Sequence, residues 1–75
     1  MIVSFYDAAT GESLMEVDTA QHQTAFPIPR VGDYVCHKGC RRRAQAVSWT
    51  FDSSGTTVIA VDVILRDLRK DEEEG

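Results

Sequence analysis

Apolar and polar side chains alternate along most of this chain, and a period of two puts successive side chains on opposite faces of an extended strand. Residues 2–6 are rich in β-branched and aromatic types, and residues 13–18 alternate with Met15 and Val17 on one face. Gly11 lies in the turn-forming stretch between them, so the pair predicts a hairpin. Residues 19–30 hold neither period, and Pro27 and Pro29 remove backbone donors, which predicts a crossing loop. Gly32 and Asp33 launch a third strand over residues 34–37, and Lys38-Gly39 permits a tight reversal.

The fourth strand, residues 41–51, sends Arg43, Gln45, Val47, Trp49 and Phe51 to one side and Arg42, Ala44, Ala46, Ser48 and Thr50 to the other. Asp52-Ser53-Ser54-Gly55 is the strongest turn signal. Residues 56–65 form the strongest strand, with Thr57, Ile59, Val61, Val63 and Leu65 on one face. Its other face, carrying Val58, Ala60 and Ile64, is also partly apolar and needs a cover. Either the N-terminal hairpin supplies that cover, or Val58, Ala60 and Ile64 form an interface with a second molecule. The pattern therefore predicts one all-β domain over residues 1–68, a small five-stranded antiparallel barrel.

Composition narrows the setting. A chain of 75 residues buries only about 60% of its unfolded surface, so the expected stability margin is thin. The longest apolar run, Val58-Ile59-Ala60-Val61, is far below the roughly 20 residues of a membrane-spanning helix. The opening residues lack the pattern of a secretory leader, and two cysteines are too few for a disulfide framework. A cytoplasmic location with no membrane contact is expected. The net charge of −4 is uneven. Residues 30–43 carry Arg30, Lys38, Arg41, Arg42 and Arg43 against the single acid Asp33, whereas Asp71-Glu72-Glu73-Glu74 makes residues 69–75 an acidic tail expected to be solvated and disordered.

Pro29-Arg30-Val31-Gly32-Asp33-Tyr34-Val35, then a glycine turn, Ala46-Val47-Ser48-Trp49 and a long final hairpin resemble the SH3-like small barrels. The Gly-Asp-x-Val strand opening is similar to that of KOW and Tudor-type members, and the likeness covers residues 29–65. The resemblance implies a bent barrel that recognises nucleic acid, peptide or another protein through loops and exposed aromatics. Only Tyr34 and Trp49 are available for the aromatic cage of Tudor-type members. In general style the chain is also similar to short proteins of bacteria and their mobile elements.

Two constellations invite chemistry. Cys36-His37-Lys38-Gly39-Cys40 concentrates soft ligands, but a structural zinc site takes four, and the only other histidine is His22 on the crossing loop. If the reversal is a three-residue loop, Cys36 and Cys40 oppose one another and form a redox-sensitive pair made reactive by neighbouring cations. Arg30, Lys38, Arg41 and Arg43, with Tyr34 and Trp49 as stacking platforms, offer contacts to phosphates. Strand alternation separates Arg42 from Arg41 and Arg43, and charges at a strand entrance also deter edge-to-edge aggregation. Trp49 fits a core position as well as a platform, and Asp33 and Asp52 fit turn caps. No nucleophile triad, phosphate loop or carboxylate pair has usable spacing, so neither a catalytic residue, a cofactor nor a small-molecule substrate is expected. The leading expectation is a non-catalytic protein-binding or self-associating module. A nucleic-acid-binding barrel and a thiol redox sensor are the alternatives.

Overall fold

The computed structural model describes residues 1–21 and 27–73, without the side chains of Gln21, Glu72 and Glu73. Five strands, β1 (Ile2–Asp7), β2 (Ser13–Asp18), β3 (Tyr34–His37), β4 (Cys40–Phe51) and β5 (Val58–Asp67), form one curled sheet, a half-barrel, in the order β2-β1-β5-β4-β3. A 3₁₀ turn (Thr19–Gln21) follows β2. Lys70–Glu73 makes a single helical turn within the stretch expected to be a disordered tail.

The all-β expectation holds, but the sheet is mixed rather than antiparallel: β1 runs parallel to β5 while its other neighbour, β2, is antiparallel. The N-terminal hairpin docks edge-on against the C-terminal one, which makes β5 the central strand. That position explains why both faces of β5 are apolar. Its outer Ile64 lies in one row with Tyr6 of β1 and Ala46 of β4, so neighbours in the same sheet shield it. No layer stacked over that face is needed to account for its half-buried state.

The inner face carries the core in two cross-strand rows. Val17, Val3, Val61 and Trp49 make one, and Met15, Phe5, Val63 and Val47 the other. Val3, Phe5, Ala44, Val61, Val63 and Leu65 are buried, and Ile28 from the loop packs over them. Burying a valine, leucine or phenylalanine side chain contributes about 1.5–3 kcal/mol, so five such positions and one alanine are a small core for a domain.

Two irregularities in the β4–β5 pair correct the alternation read from the sequence. A bulge between Ala44 and Ala46 inserts Gln45, so Ala44 pairs Leu65 on the inner face while Arg41 and Arg43 fall on the outer face, opposite to Val47 and Trp49. A second shift pairs Phe51 with Val58 and leaves Ile59 as the extra residue; Val58 turns to the core and Ile59 turns out to solvent. Strictly regular strands would have buried Ile59 and put Arg43 beside Val47.

A candidate interface on the open edge of β4

β4 is twelve residues long and β3 only four, so β3 covers Cys40 to Arg43 alone. Bonds from Gly32 N to Ala44 O and from Ala44 N to Asp33 O extend the covered edge by one residue. Among the described residues no strand pairs with that edge across residues 45–51, although their other edge is paired to β5. The stretch reads Gln-Ala-Val-Ser-Trp-Thr-Phe, uncharged and rich in strand-forming types.

Strand edges in natural proteins are usually guarded by charge, brevity or a covering element. Here the β2 edge carries Glu16 and Asp18, and β3 is short. Residues 45–51 have neither guard, and their inner-face aromatics Trp49 and Phe51 are 50% and 51% exposed. Trp49 ends a core row, and among the described residues no strand lies beyond it in the sheet. Val31, 66% exposed, lies across a cleft of about 520 Å³ lined by Ile28, Pro29, Arg30, Val31, Val47 and Trp49. Arg30 is the single charged residue of that lining.

The basic segment does not assemble into one patch. Tyr34, Arg41 and Arg43 meet on the outer face, with the guanidinium carbons of Arg41 and Arg43 at 4.1 and 5.2 Å from the Tyr34 ring centre. Arg43 Nε also donates to Gly32 O at 3.0 Å, tying the loop to β4. Arg30 and Trp49 border the cleft, and Lys38 sits in the β3–β4 turn beside His37, Cys40 and Arg42. The six residues expected to bind together thus occupy three separate places. Val58, Ala60 and Ile64 do not share one face either. Val58 packs on the core, and Ala60 and Ile64 stay half-buried on the outer face.

The β3–β4 turn has two residues, not three, with Lys38 at φ 52° and Gly39 at φ 75°. Two successive positive φ values are the hairpin turn whose twist matches its strands, and Gly39 adopts its conformation without a Cβ clash. His37 consequently faces Cys40, and Cys36 faces Arg41. A one-residue change of register moves side chains to the opposite face, so Cys36 and Cys40, both exposed free thiols, point to opposite sides of the sheet. The opposed cysteine pair expected for a redox sensor does not form.

At the other hairpin, Asp52 caps its turn as expected. Its Oδ1 accepts from Ser54 Oγ at 2.7 Å and from Thr56 N at 3.3 Å. Chiefly the Ser54 bond holds its carboxyl below the ordinary value of 3.8. Asp33 Oδ2 accepts from Arg30 N at 2.8 Å and closes the turn before β3.

Among the described residues no group of three His, Cys, Asp or Glu gathers that could hold a metal ion, and no helix is long and apolar enough to cross a membrane. His22 lies outside the described residues. The sequence signal for the edge site was present in the uncharged run after Arg43; it became legible only with the length of β3. No family model, curated protein or solved structure matches this chain.

Proposed function

We propose that this chain is a non-catalytic module that binds a polypeptide strand along the open edge of β4. One observation carries the reading: residues 45–51 combine an uncharged strand edge that no strand among the described residues pairs with and two half-exposed aromatic side chains. Main-chain bonds along such an edge supply affinity, while the apolar cleft beside Val47 and Trp49 supplies selectivity for alternate side chains. The curled half-barrel is compatible with an SH3-like barrel, and polypeptide recognition agrees with what that resemblance implies. Nucleic acid is the weaker ligand because the cations are dispersed and two of them serve the Tyr34 stack.

The test is site-specific photo-cross-linking. Benzoylphenylalanine replaces Trp49, and in a control it replaces the exposed Thr10 of the β1–β2 turn. Adducts with one polypeptide at position 49, absent at position 10 and competed by excess unlabelled protein, support the reading. Adducts with nucleic acid, or none at either position, overturn it.

A further inference from the structure

We infer that the strand taken by this edge is the β4 edge of a second copy, so that two half-barrels join into one ten-stranded sheet about a two-fold axis. The inference rests on the polypeptide-binding reading above and names its partner. Edge protection is the first argument. Among the described residues, self-pairing consumes the unguarded edge of each copy and leaves outside β2, with its two acids, and the short β3. The assembly therefore closes at two copies, as an isologous contact must.

Register is the second argument. Residues 45–51 have Ser48 at their midpoint, and a two-fold axis there sets Ser48 against itself, Ala46 against Thr50, and Val47 against Trp49 of the other copy. An aromatic opposite a β-branched residue is a favourable cross-strand pair, and no charges meet across the seven residues. The same axis brings the Asp52 turn of each copy to the Gly32–Asp33 turn that closes the covered edge at Ala44 of the other copy, so the pairing ends there.

Exposed area is the third. Folded monomers of this mass expose about 4,600 Å², whereas this chain exposes 5268 Å². Its radius of gyration is 13.4 Å, against about 11 Å for a compact chain of this length. Pairing along β4 would cover part of that excess, where Val31, Trp49 and Phe51 stand half-exposed or more.

Sedimentation velocity on the intact chain reads the stoichiometry, and a cysteine cross-link reads the register. A mass twice that of the chain is expected for the wild type, and a single-chain mass for Ser48→Lys, which opposes two ammonium groups on the axis. Ser48 is exposed, so this variant keeps its core, and circular dichroism verifies the fold. In a Cys36→Ser, Cys40→Ser background, Ser48→Cys should oxidise to a covalent dimer whereas Thr10→Cys should not. A wild type that stays monomeric at the highest attainable concentration overturns the inference, as does a dimer that Ser48→Lys leaves intact. If that monomer still cross-links a different polypeptide through position 49, only the second-copy inference falls. A monomer without any adduct removes the underlying reading as well.

Discussion

Replacing Arg42 by Met should make the protein more stable. Arg42 pairs with Val35 on one side and Asp67 on the other, and its side chain is only 16% exposed. Its Nε is buried without a hydrogen bond, and it approaches Asp67 Oδ1 at 3.5 Å as an ion pair only. A buried donor left unsatisfied costs about 1–3 kcal/mol. The compensating pair is weak because the Asp67 side chain is 78% exposed, and such contacts contribute about 0–1 kcal/mol. Methionine keeps the unbranched stem that packs at this site while removing the donor, so the net gain is about 1–2 kcal/mol. The total stability expected for this length is about 4–11 kcal/mol, and the midpoint should rise by roughly 4–8 °C per kcal/mol. Urea and thermal unfolding followed by circular dichroism, at one matched protein concentration, give the value. Asp67→Asn is the companion variant and should cost less than about 1 kcal/mol. If Arg42→Met lowers stability by more than about 1 kcal/mol, or Asp67→Asn costs more than the wild-type pair can supply, the reasoning from the unsatisfied donor is refuted.

Three further outcomes are expected. Lys38 holds φ 52° in the β3–β4 turn, a conformation costly for a side chain with a Cβ but tolerated by Asn, so Lys38→Asn should stabilise by about 0.5–1 kcal/mol in the same unfolding assay. Leu65→Ala removes a fully buried side chain from the central strand and should cost about 2–5 kcal/mol, read as a lower urea midpoint at unchanged slope. The folded carboxyl of Asp52 is depressed, so its contribution is present above its unfolded pKa and is lost as pH falls through the folded value. A carbonyl-detected NMR titration should find Asp52 protonating below 3.8 and Ser54→Ala moving that titration upward.

Most of the strands were legible because strand formation depends on local chemistry. The hairpin glycines, the turn at Asp52 and the alternation of β2 all sit within a few residues of what they determine. What lay beyond the sequence was decided by pairing partners far apart along the chain. Nothing local distinguishes a β1 that joins β5 in parallel from one that packs over it, and the two-sided apolarity of β5 fits either arrangement. The bulges at Gln45 and Ile59 are equally silent in composition, yet they decide the candidate site. Without the bulge at Gln45, the parity of β4 would place Trp49 on the face of Arg41, Arg43 and Tyr34, and the chain would present the stacked basic surface of a nucleic-acid binder. With it, the arginines and the tryptophan stand on opposite faces, and the tryptophan joins an apolar rim along an open edge. Deleting Gln45 is therefore a sharp probe of that division. The shortened β4 becomes a regular strand in which Ala44 still faces Leu65, Ala46 faces Ile64 and Val47 faces Val63, so Trp49 keeps its place in the row of Val17, Val3 and Val61. The variant should fold with its core of six buried side chains intact and with native-like Trp49 fluorescence. A deletion variant that unfolds, or whose Trp49 fluorescence shifts to that of a solvated side chain, would mean that Gln45 itself, rather than the parity of β4, holds the tryptophan on the inner face.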